Sequence, residues 1–283
     1  MSMDTDRTVV LHRRTQQSFG YQWTVFGEMS DQFRDDFLNY IAPVAPEFFV
    51  GKRGLDAGCG FGRHLYYAAQ FGAQMIGMDF SQAITRAKEI AGALDGVRFV
   101  QADLQRPPLC SHSLDFVYSI GVLHHTPDPE GTFQALLLLV RPGGAIFIWV
   151  YSKSRKVTNT LLEAVRRVSA RLPLCIIRAL ALSGALVDWC GFILPYRLVR
   201  RLLGASIDRV VWPRIKLYAR YPFQVVYADW FDRLSAPIRF YYDGDDLAVW
   251  ATRAGLVNVK ISPTGRYGWR LYGEVPTEGK EHL

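Results

Sequence analysis

The sequence contains few cysteines, and none of them is spaced for a metal site. Its 283 residues include only Cys59, Cys110, Cys175 and Cys190. No two of these form a Cys-x-x-Cys pair, so neither a zinc site nor a disulfide framework is indicated. We therefore expect a reducing compartment, the cytoplasm.

A secretory leader and a clean membrane span are also missing. The N-terminal segment MSMDTDRTVVLHRRTQQ lacks the apolar core of a signal peptide. Residues 174–194 are apolar and long enough to cross a bilayer, but they contain Arg178, Gly184 and Asp188. Each charge at the bilayer centre would cost about 2.5–3.5 kcal/mol, so we expect no crossing. Association with a membrane surface stays open.

No extreme of composition marks the chain except an uneven charge. It is 49% hydrophobic and 21% charged, which excludes disorder, collagen and coiled coil. Residues 151–220 contain 14 Lys/Arg and three Asp/Glu, a net of +11. All other residues together contain 19 basic and 23 acidic side chains, a net of −4. A basic region of this kind suits nucleic acid, a membrane surface or an anionic substrate.

Short apolar runs alternate with helical stretches between residues 53 and 151. Strands are predicted at RGLDAG, AQMIGMD, VRFVQAD, LDFVYSIG and GGAIFIWVY. Helical spacing appears in GRHLYYAAQFG, SQAITRAKEIAGAL and EGTFQALLLLV. Strands alternating with helices indicate a parallel sheet with helices on both faces. We therefore predict an α/β core with a Rossmann-like, doubly wound sheet.

The basic region interrupts this alternation. Residues 152–235 predict amphipathic helices, such as VTNTLLEAVRRVSAR, in which a stripe of Leu and Val lies beside arginines. After residue 236 a helix and two strands are expected again. The predicted parts are an N-terminal helical segment 1–50, the α/β core 51–151, a mostly helical insertion 152–235, and completion of the core by 236–283.

A glycine cluster lies between the first predicted strand and the helix that follows it. It reads DAGCGFGR over residues 56–63. Glycines there let the backbone approach a ligand closely and open a helix N-terminus toward it. A dinucleotide fingerprint would place a third small residue at position 63, where this chain has arginine, so that type of site is disfavoured. We interpret Arg63 as a surface or ion-pairing residue.

Two more acids close the next two predicted strands. Asp79 ends MIGMD, 19 residues after Gly60, where a carboxylate can accept two ribose hydroxyls. Asp103 ends VQAD, where it can meet an adenine amino group. The alternative for each acid alone is that it only caps the helix that follows. Together with the glycine cluster they indicate a nucleoside-containing cofactor.

The ordered combination of these motifs resembles the class I S-adenosylmethionine-dependent methyltransferases, in particular the small-molecule subgroup often labelled type 11. The matching text is LDAGCGFGRH, MIGMDFS, FVQADLQRPPLCSHSLDFVYSIGVLHHTPDP and the RPGG turn, all within residues 53–151. The segment from Ala236 resembles the end of such domains, and FGYQWTVFGEM looks like a cofactor-covering helix. The insertion 152–235 resembles nothing that we can assign.

The resemblance implies S-adenosylmethionine as the cofactor. The backbone of the three glycines would face its methionine part, Asp79 would hold the ribose, and Asp103 with the Leu104 amide would read the adenine. Ile120 and Gly121 would line the sulfonium side. The full set of implied cofactor-binding residues is Tyr21, Trp23, Asp56, Gly58, Gly60, Gly62, Asp79, Phe80, Asp103, Leu104, Ile120 and Gly121. Ordinary packing is an equal alternative for Tyr21 and Trp23.

Two histidines are the candidates for catalysis. Methyl transfer needs alignment, and a base only where the acceptor must lose a proton. His124 and His125 follow the fourth strand, beside the expected methyl group. The alternative is that they only shape the pocket. With Asp128 they have the right types for metal ligands, but no further cluster accompanies them, so no metal is expected.

The acceptor and the partners are the least defined expectation. An insertion rich in aromatic residues suits a lid for a hydrophobic small-molecule acceptor, such as a polyketide, terpenoid, quinone or lipid-like metabolite. Alternatively those aromatics pack the insertion's own core. A second hypothesis is a membrane-surface or cofactor-binding protein without turnover, which would dock through 152–235. A nucleic-acid methyltransferase is a weaker third, and the oligomeric state is left open.

Overall fold

The computed structural model describes residues 2–154, 156–265 and 267–277. The chain divides into two compact units. The first is made of residues 1–159 and 238–283, and the second of residues 160–237. The insertion predicted at 152–235 overlaps the second unit.

The first unit is built on one seven-stranded sheet. Its strands are β1 (Arg53–Ala57), β2 (Gln74–Asp79), β3 (Val97–Gln101), β4 (Leu114–Ile120), β5 (Val140–Tyr151), β6 (Val257–Thr264) and β7 (Gly268–Glu274). Their order is β3-β2-β1-β4-β5-β7-β6. The pairs among β1–β5 are parallel, whereas β7 runs antiparallel to both β5 and β6.

Helices cover this sheet and extend beyond it. In the first unit they are α1 (Ser2–Val25), α2 (Gln32–Ile41), α3 (Arg63–Gln70), α4 (Ala83–Ala91), α5 (Pro129–Leu137) and α11 (Gly244–Arg253), together with the start of α6 (Lys156–Ser169). The apolar core contains Leu55, Val117 and Ile146 of the strands, with Phe133 of α5 and Leu247 of α11. The predicted Rossmann-like doubly wound fold is confirmed.

The chain leaves and re-enters the first unit at neighbouring points. Ser152, at the end of β5, forms a parallel bridge with Tyr242. The Tyr242 amide donates to the Tyr151 carbonyl at 2.8 Å, and the Lys153 amide donates to the Tyr242 carbonyl at 2.9 Å. The two ends of the excursion through the second unit are thus hydrogen-bonded to each other.

The second unit is helical. It contains the rest of α6, then α7 (Leu174–Asp188), α8 (Leu194–Leu203), α9 (Pro213–Tyr218) and α10 (Phe223–Ser235). A π-helical turn, Trp189–Ile193, joins α7 to α8. Helices α7 and α10 pack together, and a Cβ on Gly184 would approach the Trp230 ring to 2.7 Å, so this glycine admits the indole.

An ion pair ties three elements of this unit together. The Arg214 guanidinium bonds the Asp188 carboxylate, which also accepts a hydrogen bond from the Trp230 indole at 2.7 Å. Asp188 is 7% exposed. The carboxylate that interrupts the apolar run is therefore neutralised inside the protein.

The apolar stripe of α6 faces solvent, contrary to the expectation that this helix buries its Leu and Val side chains. In α6, Leu161, Val165 and Val168 are exposed, while Arg166 is buried. The Arg166 Nε donates to the Arg233 carbonyl at 3.1 Å, and its guanidinium pairs with Glu163. Its Nε and Nη1 therefore have oxygen partners, whereas the buried Nη2 has none among the described residues.

Several aromatic residues of the insertion are buried in the second unit. This agrees with the alternative interpretation, in which the aromatics pack the insertion's own core. Phe231 is fully buried, and Tyr196, Tyr221 and Tyr227 are nearly so. Trp212, in contrast, is 73% exposed. The predicted role of the insertion as a lid stays a prediction.

Candidate active site

The glycine cluster forms a tight turn between β1 and α3. Gly58, Gly60 and Gly62 all have left-handed backbone angles, with φ of 86°, 52° and 87°. A Cβ on Gly58 would approach Val122 to 2.5 Å, and one on Gly60 would approach the Trp23 ring to 3.2 Å. Residues with side chains would be strained at these angles and would collide with Val122 or press against Trp23.

Asp79, at the carboxyl end of β2, is held against this loop. Its Oδ2 accepts the Gly60 amide at 2.9 Å, and its Oδ1 accepts the Ser81 amide at 2.8 Å and the Ser81 hydroxyl at 2.6 Å. Burial raises the pKa of Asp79, opposed by the bonds from Ser81 and Gly60. A carboxylate has about four acceptor positions, and three are taken, so one remains on Oδ2 for a ribose hydroxyl.

Asp56 lies inside the sheet, on β1. Its Oδ2 accepts the Tyr118 hydroxyl of β4 at 3.2 Å. Burial raises the pKa of Asp56 to about 8, and the nearby Asp79 acts in the same direction. Its predicted part in cofactor binding stays a prediction, with Tyr118 as its partner in the described structure.

Asp103 and Phe80 lie at the carboxyl ends of β3 and β2, where His12 of α1 meets both. The His12 ring stacks on Phe80 with centroids 5.2 Å apart, and its Nε2 lies 3.9 Å from the Asp103 carboxylate. The Gln16 amide donates to the Phe80 carbonyl at 2.6 Å. Leu104 is buried beside them.

One face of α1 contacts each loop of this edge in turn. His12 and Gln16 contact the β2 loop, Phe19 lies 4.8 Å from the His125 ring, and Trp23 lies 5.3 Å from Phe61. The spacing 12, 16, 19, 23 is one helical stripe. His12, Gln16 and Phe19 were not predicted, although this spacing was available as a signal.

Tyr21 lies on a different face of α1. Two residues along a helix correspond to a rotation of about 200°, which separates Tyr21 from Trp23. The Trp23 indole packs beside Gly60, and the Arg63 guanidinium lies 5.4 Å from its ring centroid. Of the two aromatics predicted to cover the cofactor, Trp23 is the one beside the glycine loop. Arg63 packs on aromatic rings here rather than pairing with a carboxylate in any described contact.

The end of β4 brings the two histidines to the same edge. Ile120 is buried, and Gly121 has a φ of 78°, which turns the chain into a 3₁₀ turn, Leu123–His125. His124 is fully buried, and its ring centroid lies 4.0 Å from that of Tyr151. The His125 ring is 4.3 Å from that of His124.

The two histidines differ in the state of their nitrogens. His125 Nδ1 lies 2.6 Å from the Ile238 carbonyl, which requires Nδ1 to donate and leaves the lone pair of the neutral ring on Nε2. Neither nitrogen of His124 has a hydrogen-bond partner among the described residues. Burial holds the pKa of His124 well below its usual range, and the charges of His125 and Arg239 act in the same direction. Both observations favour the neutral form of His124, and the predicted role of either histidine as a base stays a prediction.

Asp128, the third candidate ligand for a metal, has a structural task. It caps α5 by accepting the Gly131 amide at 2.9 Å. Within the described ranges no three His, Cys, Asp or Glu side chains come together as metal ligands.

These residues fit S-adenosylmethionine. The glycine loop presents backbone without side chains, the buried carboxylate of Asp79 accepts its Gly60 amide, and the unpartnered nitrogens of buried His124 lie at the same edge. The loop and Asp79 would hold the methionine and ribose parts, and Phe80 with Asp103 the adenine.

Comparison with known proteins assigns the core. The model of a family described as "Methyltransferase domain" matches residues 55–148. A ubiquinone biosynthesis O-methyltransferase of Cupriavidus pinatubonensis is 28% identical over 164 residues, which are 57% of this chain and 62% of that protein. Cycloartenol-C-24-methyltransferase 1 of Oryza sativa subsp. japonica is 31% identical over 52% of this chain and 44% of its own length. The chain thus spans less than two thirds of either relative.

A solved structure shows the same fold over nearly the whole chain. It is the magnesium protoporphyrin IX methyltransferase of Synechocystis PCC 6803 with S-adenosylhomocysteine bound. It is 15% identical, with a TM-score of 0.52 over 95% of this chain and 99% of its own. The α/β core described above is therefore a class I S-adenosylmethionine-dependent methyltransferase domain, and S-adenosylmethionine is its cofactor.

Proposed function

We propose that the whole chain transfers a methyl group from S-adenosylmethionine to a hydrophobic small-molecule acceptor, without a metal ion. The observation that carries this proposal is the convergence of the glycine loop, Asp79 and the paired histidines at one edge of the sheet. When bound, the cofactor supplies a methyl group on a positively charged sulfonium.

The surroundings of the histidines support an apolar acceptor. Aromatic rings next to His124 form a connected group: Tyr151 at 4.0 Å, Trp149 at 5.4 Å from Tyr151, and Tyr40 at 4.9 Å from Trp149. Apolar and aromatic walls with few polar groups are typical of sites for hydrophobic ligands. The names of the relatives agree in kind, since they refer to ubiquinone biosynthesis and to cycloartenol.

The roles of the chain's own residues follow from their chemistry. Asp79 holds a ribose hydroxyl, and α1 keeps water from the reacting atoms through Phe19 and Trp23. His125 accepts the acceptor's proton at Nε2 while its Nδ1 stays bonded to the Ile238 carbonyl, which fixes the ring. Neutral His124 shapes the wall beside Tyr151.

The test has a binding arm and a transfer arm. Calorimetry with S-adenosylhomocysteine measures cofactor binding to the full chain. Labelled methyl donor is then offered with a panel of phenolic quinone precursors, sterols, polar metabolites and duplex DNA. We expect label only in an organic-extractable product.

The other outcomes separate the alternatives. Label in DNA alone would establish the nucleic-acid methyltransferase instead. Cofactor binding with no transfer to any member of a broad metabolite extract would favour a binding protein without turnover. If the intact protein does not bind S-adenosylhomocysteine, the residues described here do not form an S-adenosylmethionine site.

A further inference from the structure

Helices α7 and α8 expose large apolar side chains on the second unit. They follow each other through a π-helical turn, and the helical run Leu174–Arg209 is long and apolar enough to cross a membrane by length and composition. We call one set of exposed residues the α7–α8 apolar surface: Leu180, Leu186, Val187, Phe192, Leu198 and Leu202. Each is between 46% and 83% exposed.

This surface is not needed for the core of the unit. The other face of α7, with Ile177, Ala181 and Ala185, is almost fully buried, and α7 packs on α10. The apolar side chains of α7 therefore occupy two faces, one that builds the core and one that has no such task. Exposed apolar groups on this scale are typical of interaction sites.

Positive charge is concentrated in the same unit as these apolar residues. Residues 160–237 contain 12 Lys/Arg and five Asp/Glu, a net of +7, which equals the formal charge of the entire protein. Six exposed arginines belong to α6, α7, α8 and the segments next to them: Arg167, Arg171, Arg178, Arg200, Arg201 and Arg209. Leu and Phe next to arginines are the two components that bind a helix to the interface of an anionic bilayer.

We propose that the α7–α8 apolar surface docks the protein on the surface of a membrane rich in anionic lipid. The Leu, Val and Phe side chains enter the headgroup region, and the arginines pair with lipid phosphates. This inference concerns the second unit alone and does not depend on the proposed methyl transfer.

Charge and ion pairing favour an anionic membrane surface over two alternatives, which are a second copy of the chain and insertion of a helix across the membrane. A second copy of the chain would bring two surfaces of net +7 together, which like-charge repulsion opposes. A crossing helix would place Arg178 and Asp188 in hydrocarbon and would separate Asp188 from Arg214 and Trp230. A lipid surface keeps the ion pair inside the protein and offers negative charge to the arginines.

Sedimentation of the full chain with vesicles tests the proposal. Vesicles of phosphatidylcholine alone are compared with vesicles containing about one third phosphatidylglycerol, at low salt and at about 0.5 M NaCl. We expect at least about tenfold tighter binding to the anionic vesicles and a clear loss at high salt. Equal binding to both vesicles, or none to either at low salt, would overturn the proposal.

Matched variants locate the contact. We expect L198Q/L202Q to weaken binding to anionic vesicles about tenfold or more, because two exposed leucines no longer enter the interface. The control L138Q/V249Q removes two comparably exposed apolar side chains from the first unit and should bind as the unmodified chain does. R201Q/R209Q should weaken binding to anionic vesicles and reduce the salt dependence of that binding. The control K88Q/K260Q removes two exposed lysines from the first unit and should have a much smaller effect on both. Equal losses in variant and control would contradict docking through this surface.

Two further measurements address the other occupants. Alkaline carbonate should release the chain from membranes of cells that produce it, since a surface contact is not integral. Retention after that wash would show a crossing helix. Sedimentation velocity tests for a dimer. If the chain forms a dimer, L198Q/L202Q dissociates it and the chain does not bind vesicles, then a second copy covers the surface.

Discussion

The Gly60 amide donates a hydrogen bond of 2.9 Å to the Asp79 carboxylate, which joins the glycine loop after β1 to the end of β2. The loop and the acid are therefore one structural unit, since the same carboxylate also accepts the Ser81 amide and hydroxyl.

Asp79→Asn should weaken binding of S-adenosylhomocysteine at least about tenfold. The new amide nitrogen places a hydrogen-bond donor opposite the donor group of Gly60 or Ser81. The variant also loses hydrogen bonds to a charged carboxylate, each of which contributes about 1.5–3 kcal/mol. Calorimetry on the full chain measures the change. Asp245→Asn is the control, because Asp245 is exposed on α11. Unchanged affinity in Asp79→Asn would mean that the ribose is held elsewhere.

Trp23→Ala should weaken cofactor binding about three- to tenfold, because the indole holds α1 against the glycine loop beside Gly60. Tyr21→Ala is the matched comparison, since it removes another aromatic side chain from a different face of the same helix. Calorimetry and a thermal midpoint are measured for both variants. A larger loss in Tyr21→Ala would reverse the roles that we give the two residues.

His125→Asn should lower kcat for methyl transfer by about 10²–10⁴-fold where the acceptor must lose a proton. Its amide can still donate to the Ile238 carbonyl, as His125 Nδ1 does, but no base remains at the position of Nε2. His124→Phe keeps an aromatic ring beside Tyr151 and should lower kcat much less.

The pH dependence of kcat separates the two histidines further. The acidic limb of the profile should disappear in His125→Asn and persist in His124→Phe, because buried His124 stays neutral. An acidic limb that persists in both variants would show that neither histidine is the base.

Asp56→Asn should flatten the dependence of stability on pH. Burial raises the pKa of Asp56 to about 8, so the folded chain holds this proton more tightly than the unfolded chain, whose Asp pKa is about 3.9. Between these values stability falls as pH rises, by up to about 1.4 kcal/mol per pH unit for one group. Asparagine does not titrate and removes this contribution.

Urea unfolding of the full chain at pH 5.5 and 7.5 measures the effect. The free energy of unfolding of Asp56→Asn, relative to the unmodified chain, should rise by about 2 kcal/mol between the two values. Some pH dependence will remain, since burial raises the pKa of Asp79 as well. Parallel behaviour of the two proteins would show that Asp56 is ionised in the folded state throughout this range.

The α/β core could be predicted from the sequence because its elements are specified locally. Alternating strands and helices have few ways to pack, and the glycines and Asp79 occupy the ends of β1 and β2, which must meet at one edge of a parallel sheet. The position of α1 could not be obtained in this way. His12, Gln16, Phe19 and Trp23 share a stripe, but only tertiary packing shows which loops that stripe meets.

The second unit shows a different limit of sequence reasoning. Periodicity in α6 reveals an apolar side and a basic side, but it does not say which side faces the protein. Leu161 and Val165 are exposed, whereas Arg166 is buried, with its Nε bonded to the Arg233 carbonyl and its Nη1 paired with Glu163. Glu163 is on α6 itself, but the Arg233 carbonyl belongs to α10, whose proximity the sequence pattern of α6 does not encode.

The backbone hydrogen bonds of Tyr242 to the chain around Tyr151 make the stability of the α/β core nearly independent of the length of chain between these two residues. Because the exit and return points are already joined, the core experiences all of residues 160–237 as a single closed loop, and the entropy of closing a loop grows only slowly with its length. Evolution can therefore lengthen, shorten or exchange that cassette with little effect on the catalytic scaffold. New surface properties can be acquired at this one insertion point while the chemistry of the domain is conserved.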